Sequence, residues 1–473
     1  MGDQLHNILA LLVVATAVEP EREPGAVHSA ERHHDSVSCE RPPTLPRVPH
    51  HPHPRSVGAA VLPLLVLLAA CSNAEGSGGG AESVDTVPAT STTVHPNDGT
   101  LVIGAILPRS GGAADLGSSM SDALAVGIAE INAAGGINGG PVRLITAEEG
   151  TSPATAALAV QSLASRVDAI IGPTSSLNTL GTLGAAVEAG VLTCSPTATA
   201  IALDNFPDDG LFFRTIPSDS LQAEAIANVV EATGSSTAVV MYLDDGYGRP
   251  FGEATENAIA TLGTNVAATI GFAANEQSIS SAVEEALATS PEVVAVIADG
   301  VTGPAIINAI DAAAQTRLTY VVNDAIRRPA ASAAPFSPGL ALRVSGVSPV
   351  AYADSALFAQ ALLTVNPDAS GLYAHNAYDC LAIIALAAQS AGSDQPMEIA
   401  GSIAAVTTSG TGCAMFDDCK TSLAGGRNIN YNGPSGNLSI DANGNVIAAN
   451  FERFTFDSSG RDVADGVVAI GIG

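Results

Sequence analysis

From Leu101 onward, short β-branched runs alternate with longer Ala-rich runs whose apolar positions recur at helical spacing. LVIGAIL (101–107) reads as a strand, and Ser118 to Ala134 as a helix stopped by Gly135–Gly136. PVRLITA, VDAII and VLTC read as further strands, with a helix at Pro153–Arg166, and LFFRTIP follows them. Ser218–Thr233 reads as a helix with Ser218 as its N-cap. TAVVMYL, NVAATIGF, EVVAVIA and LTYVVN then alternate with helical patterns at Arg249–Leu262, Gln277–Ala288 and Gly303–Ala314. Helices at Ser355–Thr364 and Gly371–Ala391 come next, and the chain closes in shorter strands and turns, SGNLSID and NFERFTF among them. Repeated strand–helix–strand units predict an α/β fold of doubly wound parallel sheets. The units are too many for one small sheet, so two lobes are expected, with crossings at Pro217 and in RVSGVSPV (343–350).

The stretch from Val167 to Ala200 carries the most chemistry. VDAII ends at Gly172–Pro173, and Ser175 and Ser176 stand where a helix begins. VLTC ends in a second loop at the same sheet edge, Ser195–Pro196–Thr197–Ala198–Thr199. Ligands of open α/β sheets sit beyond the carboxyl ends of strands. A helix start offers unpaired amides and a partial positive charge. Two such loops rich in hydroxyls point to a clamp for a small anionic group. The competing reading is that these Ser and Thr residues only cap helices.

Composition narrows the classes. Apolar residues make up 47% of the 473 positions, enough for a large core. Lys plus Arg number 18 against 47 Asp plus Glu, a net charge of −29, which argues against nucleic acid as a partner. With no Trp, a carbohydrate-stacking groove is not expected. Residues 1–55, with His33, His34, His50, His51 and His53, show no sustained periodicity and read as an unstructured or untranslated leader rather than a metal site. Residues 56–70 read as a signal-peptide apolar region, too short to span a membrane comfortably. It ends in Leu68–Ala69–Ala70–Cys71, which resembles the bacterial lipobox, with Cys71 as the lipidated residue. Since such a signal belongs at an N-terminus, translation is expected to start later, for instance at Val48. Residues 71–99 are a Gly/Ser/Thr/Pro tether. The chain is expected to be extracytoplasmic and lipid-anchored to the bacterial cell membrane.

Several motifs carry a resemblance: IGAILPRSG, EINAAGGINGGPVRL, IIGPTSS, CSPTAT, FFRTIPSDSLQA, YLDDGYGRPF and YNGPSGNLSIDANGNV. Residues 100–473 resemble a type I periplasmic binding protein of the branched-chain amino acid (Leu/Ile/Val) transporter family. The resemblance implies two doubly wound parallel-sheet lobes joined by a three-stranded hinge. One lobe would take 100–217 and 349–440, the other 218–348 and 441–473, with a third crossing near Pro434–Val446. It implies capture of a small amino acid-like ligand or amide for an ABC permease and ATPase complex, by a monomer. By the same resemblance, Ser176 and Thr199 donate to an α-carboxylate, the Thr197 backbone bridges carboxylate and ammonium, and Ser175 is a lesser candidate. Asp324 matches the ammonium partner, where a Glu is common. Tyr247 and Tyr378 match aromatic cleft positions, and Leu116 would line the pocket. Asp324 as a turn cap and the tyrosines as core are the competing readings.

Leaving out Cys39 and Cys71, four cysteines remain, and an even number in an exported domain favours disulfides. Cys413 and Cys419 are expected as a short local loop, leaving Cys194 and Cys380, whose pairing stays open. A zinc site is disfavoured because no His lies at ligand spacing. No catalytic motif is present: no GxSxG, HExxH or GxxxxGK[ST]. GYGRPFG misses the dinucleotide fingerprint by one residue. No catalytic residue, cofactor or resident metal is therefore expected. The alternatives to transport are a ligand-sensing lipoprotein of the same fold, signalling to a membrane sensor, and a structural or adhesin lipoprotein.

Overall fold

The computed structural model describes residues 97–327, 335–351, 353 and 355–471. The leader, the apolar run, Cys71 and nearly all of the tether lie outside the described residues. No described helix is long and apolar enough to cross a membrane.

The first lobe is built on strands β1 (Val102–Leu107), β2 (Arg143–Glu148), β3 (Ala169–Ile171), β4 (Leu192–Ser195) and β5 (Phe212–Arg214). They form a parallel sheet in the order β2-β1-β3-β4-β5. Helices α1 (Ala114–Ala133), α2 (Pro153–Leu163) and α3 (Ser176–Glu188) connect successive strands. Alternate residues of β1 serve the two faces. Ile103, Ala105 and Leu107 pack with Met120, Ala123 and Leu124 of α1. Ile106 packs with Ala159, Val160 and Leu163 of α2 on the other side. A strand covered on both faces has no polar side, which is why β1 reads as an unbroken apolar run.

Past β5 the chain enters the second lobe. Helices α4 (Asp219–Ala232), α5 (Gly248–Thr261), α6 (Glu276–Ala288) and α7 (Thr302–Ala313) alternate with β6 (Thr237–Leu243), β7 (Asn265–Phe272), β8 (Val293–Ile297) and β9 (Thr319–Val322). A one-turn helix α8 (Pro338–Ala341) leads into β10 (Val344–Pro349). RVSGVSPV is therefore mostly a strand, parallel to β9, and the chain leaves this sheet only at its end. Alternation repeats in β6: Val239 and Met241 join α6 and α7, whereas Ala238, Val240 and Tyr242 join α4 and α5.

The chain then returns to the first lobe with α9 (Ala356–Val365), α10 (Ala374–Ala391), α11 (Pro396–Ala400) and α12 (Ile403–Thr407). Every residue of α10 from Ala374 to Ala388 is buried, most of them in the core shared with α1 and β3. A small sheet of β11 (Thr411–Cys413), β12 (Ile429–Gly433) and β13 (Gly436–Asn437), with α13 (Phe416–Ala424) between β11 and β12, completes this part. SGNLSID supplies only the two-residue β13 and one partner of a single bridge, Ile440 to Val446. Finally β14 (Ala449–Phe456) and β15 (Asp462–Ile470) return to the second sheet, whose order is β15-β14-β10-β9-β8-β6-β7. Their pairing is antiparallel, so this sheet is parallel apart from one edge.

Both cysteine pairs form disulfides. Cys194 in β4 joins Cys380 in α10, with Cα atoms 5.8 Å apart, and Cys413 joins Cys419 at 5.4 Å.

Candidate functional site

The loop after β3 begins at Gly172, where φ is +100° and a Cβ would sit 2.0 Å from the Ile106 carbonyl oxygen. Only glycine turns the chain there without that clash. Ser175 then caps α3, its hydroxyl accepting the Asn178 amide at 3.1 Å.

The start of α3 already holds an anion. Glu149, 1% exposed, reaches it from the end of β2 and accepts from the Thr174 amide (2.9 Å) and hydroxyl (2.7 Å). It also accepts from the Ser175 amide (3.2 Å) and Asn178 Nδ2 (2.8 Å). Sequence reasoning did not single out Glu149. Ser175, offered as a ligand donor, is thus committed twice within the protein. Ser176 and Leu177 are the next amides of the first turn, where no intrahelical acceptor exists.

Ser176 binds the two loops together: its hydroxyl oxygen accepts the Thr199 amide (3.1 Å) and the Ala200 amide (3.2 Å). Thr197 donates its hydroxyl to the Thr174 carbonyl at 2.9 Å. Ser176, Thr197 and Thr199 are half-buried, as open cleft walls would be.

The second lobe meets this wall at α4. The Asp219 amide donates to the Thr199 carbonyl at 2.9 Å. Asp219 is 1% exposed, and among the described residues neither carboxylate oxygen receives a hydrogen bond. Burial pushes its carboxyl well above the usual range, the charge of Asp324 pushes further, and Thr199 and Arg214 pull back less strongly. Asp324 opens a single 3-10 turn after β9. Its Oδ1 accepts from Gln222 Nε2 at 2.9 Å, and that same nitrogen bonds the Val347 carbonyl at 2.9 Å. Burial raises the Asp324 carboxyl too, with the Gln222 bond the largest opposing effect. Asp245 Oδ1 caps α5 by accepting the amides of Tyr247 (3.0 Å) and Gly248 (2.7 Å). That fixes Tyr247 with its ring edge-on to Phe251 and its hydroxyl 3.4 Å from Asn323 Nδ2. Burial, followed by the charges of Asp219 and Asp324, raises the Tyr247 hydroxyl well above its ordinary value.

Arg214 fastens the wall from behind. Fully buried at the end of β5, it donates to the Ala198 (3.2 Å) and Ala200 (3.3 Å) carbonyls and pairs with Asp204 and with Asn445 Oδ1 (2.7 Å). Asn445 lies between β13 and β14, so one side chain ties the second loop to two of the passages between lobes.

Of the residues read from sequence, Ser176, Thr197, Thr199, Tyr247 and Asp324 come together, and Asp219 joins them. Tyr378 does not join them: it is core, donating its hydroxyl to Glu130 Oε2 at 2.5 Å and stacking edge-on with Phe358. Leu116 packs partly buried against the first-lobe core. Among the described residues no three His, Cys, Asp or Glu side chains cluster so as to hold a metal ion.

Two parallel-sheet lobes, with hydroxyl-bearing strand ends of one set against acidic and aromatic side chains of the other, define a bilobed solute-binding protein. The chain belongs to the periplasmic binding protein family, whose pattern matches residues 100–460. It is similar to the chemotactic signal transduction system substrate-binding protein BasB of Halobacterium salinarum, 28% identical over 357 residues, covering 72% of this chain and 84% of the relative. Its fold is similar to that of the branched-chain amino acid transporter substrate-binding protein LivJ from Streptococcus pneumoniae, solved with isoleucine, at TM-score 0.59 and 21% identity, covering 78% of this chain and 99% of LivJ. A solute-binding protein from R. palustris solved with benzoate has TM-score 0.57 and 18% identity, covering 79% and 97%.

Proposed function

We propose that this chain is an extracytoplasmic lipoprotein, anchored through Cys71, that captures a small amino acid-like ligand and delivers it to an ABC permease. The ligand carboxylate sits on the Ser176 hydroxyl, the Ser176 and Leu177 amides and Thr199, with Thr197 beside it. The ligand ammonium turns to Asp324, and Tyr247 covers it. Closure of the lobes on what they share excludes water and strengthens these charge-assisted bonds. The observation that carries the reading is the meeting of half-buried Thr199 with buried Asp219, on which the charge of Asp324 acts. The ligands bound in the two structural neighbours, isoleucine and benzoate, share a carboxylate and differ in the amine, which supports an anion site on the first lobe.

A second reading has one observation in its favour. The BasB relative is named for chemotactic signalling, which fits a protein that reports occupancy to a membrane sensor. Both readings need the ligand to prefer the closed state.

Thermal-shift screening with amino acids, amides and the corresponding 2-hydroxy acids tests the ligand class. Amino acids are expected to raise Tm and the 2-hydroxy acids to do so less, since stabilisation grows with ligand concentration over Kd. A panel in which no amino acid shifts Tm contradicts the reading. Co-purification of the full-length protein with permease subunits, against a sensor, separates transport from signalling.

A further inference from the structure

Among the described residues, the buried Asp219 carboxylate has no hydrogen bond of ordinary length, the Thr199 side chain only lowering its pKa in part. Within the described residues, Oε1 of Gln222 lacks a donor as well; Gln222 is 1% exposed and lies three residues along the same face of α4. Three buried acceptor atoms thus lie on the helix face that meets Asp324, which Gln222 Nε2 bonds and whose charge acts on Asp219, and acceptors alone cannot satisfy one another. An isolated ionised carboxylate in such a place is costly, so it either meets a cation or takes up a proton. Its surroundings make the second outcome natural when the cleft is empty. Arg214 is the nearby cation, but it is engaged by Asp204, Asn445 and two carbonyls. The other charged groups acting on the pair are Asp204 on Asp219 and Arg327 on Asp324, and the two carboxylates in turn act on the Tyr247 hydroxyl. Arg327 is itself held by Glu452 and Asp462.

We propose that Asp219 and Asp324 form a carboxyl pair that holds one proton in the empty protein and exchanges it for the ligand's ammonium, so that each capture releases a proton. The exchange balances: the carboxyl O–H of the pair breaks, its proton goes to solvent, and the carboxylate accepts N–H bonds from an ammonium that keeps its own charge. No electron moves. Gln222 Oε1 takes a further ammonium hydrogen, giving a selective site for a primary ammonium, which has three donors, over tertiary or quaternary amines. This rests on the amino acid reading above and deepens it. It also makes affinity depend on pH: where the empty pair holds its proton, affinity rises about tenfold per pH unit, and it flattens once the pair has ionised. An anion lacking an amine would show the reverse, since it gains nothing from ionising the pair.

The test is isothermal calorimetry of the folded chain with L-leucine, L-isoleucine, L-valine and L-alanine, each in two buffers of different ionisation enthalpy. The pair predicts a binding enthalpy that changes between buffers by the amount for about one proton released. Asp219→Asn removes that difference, and Asp219→Glu restores at least part of it. The wild-type buffer comparison decides the matter even where the variants fold poorly. Amino acid binding with no buffer dependence overturns the proton exchange and leaves the amino acid reading standing. No binding by any of the four overturns both.

Discussion

Glu149 and Thr174 are joined twice: one carboxylate oxygen accepts both the amide and the hydroxyl of the same residue, at 2.9 and 2.7 Å. The helix that begins beside them therefore presents a first turn whose foremost donors are spent inside the protein. Thr174→Val, which keeps the shape and removes one donor to a charged group, is expected to destabilise the fold by about 1.5–3 kcal/mol. Urea unfolding followed by far-UV circular dichroism measures it. A midpoint equal to wild type means the pair contributes nothing.

Arg214 makes the next prediction. Its guanidinium is buried with Asp204 beside it, and burial lowers its pKa while Asp204 opposes that. Arg214→Met strands the Asp204 carboxylate and frees the Ala198 and Ala200 carbonyls. A loss of about 3–5 kcal/mol follows from removing one partner of a buried pair. The second loop loses its fastening as well, so the ligand's dissociation rate should rise in any variant that still folds. Stopped-flow binding with unchanged kinetics would remove Arg214 from the account of the site.

The Cys194–Cys380 bridge spans 186 positions of sequence and ties β4 to α10. Replacing both residues by Ala is expected to cost about 2–4 kcal/mol, the usual range for a cross-link over a long loop. Under denaturing, non-reducing conditions, thiol titration of a chain truncated before Ser91 should find none of the four sulfurs free. Four free thiols would contradict both bridges.

His375 gives a pH dependence whose sign can be worked out. It is 2% exposed, its Nε2 lies 3.1 Å from the Val350 carbonyl, and burial lowers its pKa from 6.5 to about 4. The unfolded chain therefore takes up this proton first. The contribution of His375 to stability is fully present above pH 6.5 and is lost as pH falls toward about 4. The loss amounts to about 3 kcal/mol, from the value of one pKa unit. Asp168 and Asp379 act oppositely, since burial raises each to about 7. The clean observable is thus the stability difference between wild type and His375→Gln, flat above pH 6.5 and narrowing below it.

Much of this was open to reading before any coordinates. The strands buried on both faces announced themselves as apolar runs, and helix ends followed caps such as Ser218, whose hydroxyl accepts the Ser220 amide. The two hydroxyl loops were visible because they are local: each lies within a few residues of a strand end. What stayed hidden was non-local. Glu149 meets α3 from 25 residues upstream, a separation with no sequence signature. Asp219 sits in the first turn of a helix, where an acidic residue is ordinary and favourable to the dipole. Only its burial against Asp324 marks it out. Tyr378 shows the opposite error, an aromatic assigned to the cleft that fills the core against Glu130 instead. The strand β15 has no clear alternation to read: eight of its nine residues are exposed or half-exposed, and only Ile470 is buried.

The central claim is that one lobe grips a carboxylate and the other an ammonium. A crystal structure of the chain with the best amino acid from the thermal-shift panel tests it most directly. The account predicts the ligand carboxylate within hydrogen-bonding distance of Ser176 and Thr199, and the ammonium against Asp324 and Asp219. A ligand bound elsewhere, or turned so that its ammonium lies at Ser176, would contradict it.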